Sequence, residues 1–227
     1  MKSHQNEILG KMNEKAYLEL SFDFAFKLTN ESERGAILIG ASKVEEYLES
    51  LILTILPLQT KAYKSKLLDY PGPLSSFSGK IELIHAFRLI DKKLYDSLNS
   101  LRIMRNKAAH TANIFSLKDA NDAFTKIYSF EDNFPEVIHH LAYNNLIKWK
   151  LHIIKENFEK SDLKDFDHEK IWNEKYPNPE EDEAIAEQLI IWKLAYGLTF
   201  LCLKIMSVTD EYAMLRSNAD TWVELMN

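Results

Sequence analysis

The sequence has little glycine and proline, six of each in 227 residues, which is about 5% against an average near 12%. Sandwiches of many β-strands need a turn about every 8–12 residues, so this shortage favours long helices with few connections. Hydrophobic residues reach 46%, which excludes a collagenous or disordered chain, and the length fits one domain. We predict an all-α protein: a single bundle of about six to eight helices over residues 1–227.

Cysteine is nearly absent, and Cys202 alone cannot form an intrachain disulfide. Residues 1–7 are too polar for the apolar core of a signal peptide, so a cytoplasmic location is expected. The apolar run 189–206 has the length of a membrane span. Lys193 and Lys204 interrupt it, and each costs about 2.5–3.5 kcal/mol near a bilayer centre. We therefore expect no membrane partner and a core helix at 181–207.

Excess positive charge is also missing: the net charge is −6, the wrong sign for a protein that coats duplex DNA without specificity. The charges are unevenly placed. Residues 60–110 hold ten basic and four acidic side chains, whereas residues 156–187 hold twelve acids and four bases. Both stretches are typical of solvated helix faces and loops. The alternative is that the basic stretch, residues 60–110, binds an anion or an acidic partner.

Hydrophobic periodicity predicts several helices. Apolar residues between Gly35 and Leu56 follow one helical stripe that Pro57 ends, and Asp91 is a candidate N-cap for a second helix. The stripes are Ile37, Ala41, Val44, Leu48, Leu51 and Ile55 in the first helix, and Leu94, Leu98, Leu101, Met104 and Ala108 in the second. Between them, the block 72–80 predicts a rigid turn, with a cap at Ser78-Gly79.

Later segments are assigned in the same way. Pro135 is placed as a first-turn proline of a long helix, and 161–180 is predicted as a polar loop. Residues 18–28 alternate like a strand but also show four-residue spacings, and we predict a helix there. The expected stripe of the long helix is Ile147, Leu151, Ile154 and Phe158.

The hexapeptide 105–110, Arg-Asn-Lys-Ala-Ala-His, carries the most chemistry. At about 100° per residue Arg105 falls on the apolar arc of its helix, while Asn106 and His110 share another face. A guanidinium on a buried stripe needs an anionic partner. That partner is either a carboxylate of the chain, with Glu45 and Glu46 as candidates, or a phosphate, which Arg holds through its planar fork of donors.

Metal-independent RNA cleavage uses a group that moves a proton from a 2′-hydroxyl and a cation that stabilises the phosphate. His110 is a candidate for the first role and Arg105 for the second, although their 140° offset on an ideal helix argues against one pair acting alone. The block 72–80 lacks the order of a phosphate-binding loop, because Ile81 follows Lys80 where that loop needs a hydroxyl residue.

Two E-x-x-H pairs, one at Glu82 and His85 and one at Glu136 and His139, resemble half of a dimetal bundle site. With seven His and 21 Glu in the chain, chance explains two such pairs. We predict no metal and no cofactor.

Three blocks resemble the mannitol operon repressor (MltR) family. They are residues 31–41 (ESERGAILIGA), 72–83 (GPLSSFSGKIEL) and 101–110 (LRIMRNKAAH), and the family-like core is 28–120. The resemblance implies an all-helical domain assigned to transcriptional regulation. The Arg-Asn-x-x-x-His element also resembles that of HEPN-type helical domains, many of which are dimeric ribonuclease toxins. Carried over, the catalytic residues are Arg105, Asn106 and His110.

Three functions follow. The first is a mannitol-repressor-like regulator that acts through a protein or RNA partner, with direct sequence-specific DNA binding left open. The second is a HEPN-type endoribonuclease of the toxin or defence class. The third is an interaction module in which Arg105 and His110 are only structural. The resemblance implies a homodimer in the first two cases.

Overall fold

The computed structural model describes residues 23–56, 60–110, 115–118, 121–159, 167–179 and 181–226. Within these ranges the chain is all-helical and has no strand, which confirms the predicted all-α class. Seven of the helices have eight or more residues. The helices are α1 (Ala25–Thr29), α2 (Glu33–Ile55), α3 (Lys61–Leu68), α4 (Phe77–Ala86), α5 (Lys92–His110), α6 (Asn121–Thr125), a 3₁₀ turn (Lys126–Tyr128), α7 (Phe134–Glu159), α8 (His168–Lys175) and α9 (Glu183–Met226).

Helix α2 is the central element of the bundle. It packs against α9, α5, α4 and α1, while α5 and α9 have at most a marginal contact with each other. Helix α2 therefore lies between them. Helix α9 also packs against α7, and α5 also packs against α4, α6 and the 3₁₀ turn. This arrangement leaves one long side of α5 outside the core.

The start and end of α2 follow local chemistry. The Ser32 side chain accepts a hydrogen bond from the Gly35 N–H at 3.1 Å and caps the N-terminus. The helix ends at Ile55, and Leu56 is extended, as expected for the residue before a proline. Five of the six predicted stripe residues are buried, and Ile55 is half-buried.

The second predicted helix is α5, and it also agrees with the sequence. Asp91 Oδ1 accepts from the Leu94 N–H at 2.8 Å, so the predicted N-cap is confirmed. All five stripe residues, from Leu94 to Ala108, are buried. The predicted cap at Ser78 is wrong: Ser76 caps α4 by accepting from the Gly79 N–H at 3.0 Å, because α4 begins at Phe77.

Two predictions for the later chain need correction. In α7, which Pro135 enters in the first turn as expected, the buried stripe is Ile138, Ala142 and Leu146. Of the predicted stripe, three residues are half-buried and Phe158 is outside the described side chains. Because this helix is apolar on more than one side, the spacing of its apolar residues does not show which side is buried.

The predicted polar loop at 161–180 contains helix α8 at His168–Lys175. Trp172 is buried, its ring lies 4.5 Å from that of Tyr176, and α8 packs against α7. Burial of Trp172 thus stabilises α8, a helix that the polar composition of this segment did not predict. Of the segment 18–28, residues 18–22 lie outside the described part and 25–28 are helical.

Helix α9 begins at Glu183 and continues to Met226, well past the expected end at 207. In the described part of the chain it is the one helix long and apolar enough to cross a membrane by length and composition, and 61% of that stretch is buried inside the protein. Its buried residues from Leu194 to Thr199 are consecutive, because it has neighbours on several sides.

Candidate nucleic-acid interface

The residues proposed for chemistry lie on the second half of α5. From 97 to 110 this helix has the basic residues Arg102, Arg105 and Lys107, with His110, and no acidic residue. Lys107 and His110 are in the last turn, where positive charge complements the helix dipole. Arg102 and Arg105 lie before that turn, so the dipole does not account for them.

The Arg105 side chain is half-buried and is held by its neighbour. Its Nη1 donates to Asn106 Oδ1 at 3.3 Å. In the described ranges no carboxylate forms an ion pair with Arg105, and the expected acidic partners are engaged elsewhere. Glu45 pairs with Lys80 at 2.6 Å, and Glu46 pairs with Lys43 at 2.8 Å. Neither of the two candidate carboxylates, Glu45 or Glu46, therefore neutralises Arg105.

On the helical wheel Arg105 and Asn106 lie on different faces of α5, but a side-chain hydrogen bond connects them. The Arg105 guanidinium reaches the amide of Asn106, which shares a face with His110 one turn later. The structure thus joins two of the three site residues directly. His110 is exposed and, among the described residues, has no hydrogen bond or ion pair.

The side of α5 that faces away from the core is mostly polar. We call it the α5 outer face; it consists of Tyr95, Asn99, Arg102, Ile103, Asn106 and His110. Arg102 Nε donates to Asn99 Oδ1 at 3.1 Å, and the Asn99 amide donates to the Tyr95 carbonyl at 3.4 Å. Ile103 stands between the polar groups with 58% of its surface exposed. This face offers guanidinium and amide groups beside an apolar contact.

Tyr95 connects the outer face to α4. Its hydroxyl donates to Glu82 Oε1 at 2.9 Å, and its ring stacks on that of His85 with centroids 4.0 Å apart. The first E-x-x-H pair is thus engaged with a tyrosine. In the part of the chain that the structure describes, no group of three or more His, Cys, Asp or Glu side chains forms a metal-binding cluster.

Sequence reasoning missed Lys80, the one buried charged side chain among the residues that the structure describes. Lys80 is 2% exposed, and its Nζ donates to Glu45 and Glu49 on α2. Burial alone lowers the pKa of Lys80, but the two hydrogen bonds and the carboxylate charges together hold it above the ordinary value. The available signal was Glu45 and Glu49, four residues apart beside the apolar stripe of α2. Because it is committed to them, Lys80 is not a phosphate ligand.

Comparison of the chain with protein-family models, with curated proteins and with solved structures finds no match. The likeness to the mannitol operon repressor family therefore rests on the three sequence blocks given above. Function has to be inferred from the α5 outer face and from Arg105.

This geometry suits an anion. An arginine without a carboxylate partner can present several N–H donors to a phosphate, and a hydrogen bond from one of its nitrogens to an amide fixes its plane. An exposed imidazole on the adjoining turn can accept or donate a proton.

Proposed function

We propose that the protein is a mannitol-repressor-like regulatory protein that binds RNA through the α5 outer face. One observation carries this proposal: Arg105 is bonded to Asn106 and unpaired with any described carboxylate, on a stretch of α5 that has no acid. A partly desolvated guanidinium gains most from an anionic ligand.

RNA suits this face better than duplex DNA does. A net charge of −6 opposes nonspecific coating of a duplex, and residues 60–110, which include α5, hold a local excess of ten basic over four acidic side chains. The amides of Asn99 and Asn106 can bond to the edges of unpaired bases, and exposed Ile103 offers an apolar contact. We further propose that the protein is cytoplasmic, as its single cysteine and polar residues 1–7 suggest, and that it is a homodimer, as the resemblance implies.

The test is fluorescence anisotropy with a labelled single-stranded RNA of about 12 nucleotides. We expect Arg105→Ala to weaken binding about tenfold or more, as loss of a charge-assisted contact does. Lys148→Ala is the matched control, because Lys148 is an exposed cation on α7. Equal losses in both variants would show a merely electrostatic attraction. No binding by the unmodified protein would reject RNA and favour a protein partner.

A second candidate function is metal-independent cleavage of RNA, favoured by the exposed His110 beside Asn106. In this reaction His110 takes the proton of a 2′-hydroxyl, whose oxygen bonds to the adjacent phosphorus. The bond from phosphorus to the 5′ oxygen breaks, that oxygen takes a proton from water, and His110 returns its proton to the hydroxide that remains. The products are a 2′,3′-cyclic phosphate and a 5′-hydroxyl. Arg105 stabilises the charge on the phosphate, and Asn106 orients Arg105.

The experiment is incubation of RNA with purified protein in EDTA, followed by analysis of the termini. We expect cyclic phosphate ends from the unmodified protein and none from His110→Ala. Because His110 is exposed, the variant should keep its melting temperature. Cleavage that persists in His110→Ala would indicate a contaminating nuclease. Unfolding in both His110→Ala and Arg105→Ala would instead support a purely structural role for the motif.

A further inference from the structure

The turn between α4 and α5 has an unusual residue at its centre. Phe87 is the C-cap of α4, and Arg88 follows with φ 56°, in the left-handed region that favours glycine. The Arg88 N–H donates to the His85 carbonyl at 2.9 Å, and the Leu89 N–H donates to the Ile84 carbonyl at 3.0 Å. These two bonds form a Schellman motif, whose left-handed position is usually glycine. An arginine there costs conformational energy that a glycine would not.

The two side chains at this turn are available to a partner. Phe87 is 64% exposed, and Arg88 is exposed. Among the described residues Arg88 has no hydrogen bond or ion pair from its side chain, whereas the next two cations along the chain are paired. Lys92 binds Asp96, and Lys93 binds Asp132. The turn therefore carries an exposed aromatic residue and, directly after it in the chain, an exposed arginine whose side chain has no described partner.

The turn adjoins one end of the α5 outer face. His85, two residues before Phe87, stacks on Tyr95, and Tyr95 is on the side of α5 that carries Asn106. Asn106 lies eleven positions after Tyr95 in the same helix, which is about 16 Å along the axis. A single-stranded RNA that is bound at Arg105 can therefore extend along α5 to this turn.

We infer that Phe87 and Arg88 form a second contact for single-stranded RNA, in which a base stacks on the Phe87 ring and a phosphate binds Arg88. The inference rests on the proposed RNA binding and extends it along α5. Aromatic rings beside cations are how proteins hold unpaired strands, since every base has a face that can stack. A left-handed arginine is also the kind of locally unfavourable residue that binding sites retain.

The test separates strain from binding by using Arg88→Gly. Glycine relieves the backbone, so this variant should melt at the same or a higher temperature. It should nevertheless bind a single-stranded RNA of about 12 nucleotides about fivefold more weakly. The slope of log affinity against log salt concentration should become shallower by the amount that corresponds to about one phosphate contact. Asn133→Gly is the control, because Asn133 is the other described non-glycine residue with positive φ, at 60°.

Phe87 is tested with Phe87→Ala, which should weaken RNA binding severalfold, as loss of base stacking does. Tyr63→Ala removes an aromatic residue that is 48% exposed on α3 and should leave RNA affinity unchanged. Unchanged affinity in both Arg88→Gly and Phe87→Ala, with a loss in Arg105→Ala, would overturn this contact and leave the proposed function standing. No RNA binding by the unmodified protein would overturn both. Binding of polyglutamate that depends on Arg88, without such dependence for RNA, would show a protein site instead.

Discussion

The Nζ of Lys80 lies 2.6 Å from Oε1 of Glu45, and the lysine side chain is 2% exposed. Glu49, one turn further along α2, is the second acceptor. The three residues fasten α4 to the central helix. A buried cation is tolerated only while its acceptors are present, so this cluster is sensitive to the loss of any single member.

We predict that Lys80→Met lowers the free energy of unfolding by about 2–4 kcal/mol, because two carboxylates lose their shared partner. Urea denaturation followed by circular dichroism measures the change. The triple variant Lys80→Met, Glu45→Gln, Glu49→Gln should recover part of the loss, since no unpaired charge remains. A single variant as stable as the unmodified protein would contradict this account of the cluster.

The same cluster predicts instability in alkali. The pKa of Lys80 is raised in the folded protein above its ordinary 10.5, so its contribution is complete below that pH and declines as the pH rises through the folded value. The stability difference between the unmodified protein and Lys80→Met should therefore shrink above about pH 10.5. Denaturation at pH 8 and at pH 11 measures it; a constant difference would argue against an ionised pair.

Gly40 and Leu198 set the distance between α2 and α9. A Cβ on Gly40 would lie 2.3 Å from Leu198 Cδ1, and Leu198 is fully buried. We predict that Gly40→Ala destabilises the protein by about 1–3 kcal/mol, although alanine favours helix. In the double variant with Leu198→Ala the losses should be less than additive, because the new methyl fills vacated space. Ser50→Ala, at an exposed position of α2, is the control.

Cys202 should react slowly with thiol reagents. It is fully buried, and burial raises the pKa of its thiol far above the ordinary value, so little thiolate forms. We expect Ellman's reagent to label the folded protein at least about 100-fold more slowly than the protein in urea. An exposed thiol, introduced as Ser50→Cys in a Cys202→Ala background, should label quickly in both conditions. Rapid labelling of Cys202 in the folded protein would show that the core opens easily.

Lys193 is a half-buried cation in α9 without a described acidic partner, and burial lowers its pKa. We predict that Lys193→Met raises the melting temperature by about 2–4 °C at neutral pH. The lysine is unfavourable while it is protonated, so the gain should vanish as the pH rises above 10.5. Lys204→Met should have the opposite effect, because Lys204 pairs with Glu131 at 2.6 Å.

The sequence predicts the helices whose buried residues repeat on one side only. Helices α2 and α5 are of this kind. Capping by Asp91 can also be predicted, because its carboxylate accepts from the N–H of Leu94, only three residues later. The pairing of Lys80 with Glu45 joins residues 35 positions apart, so no local pattern reveals it. The bond between Arg105 and Asn106 is local, yet it depends on side-chain rotamers, which residue spacing does not specify.

Arg216, in the last third of α9, contacts the C-terminal end of α2. Its Nη1 donates to the backbone carbonyls of Thr54, at 2.9 Å, and Leu56, at 2.8 Å. The terminus of the central helix is thereby completed by a residue 160 positions later. A ribosome must add 160 residues after Leu56 before these two carbonyls acquire the guanidinium that donates to them, so translation products truncated before Arg216 lack this closure.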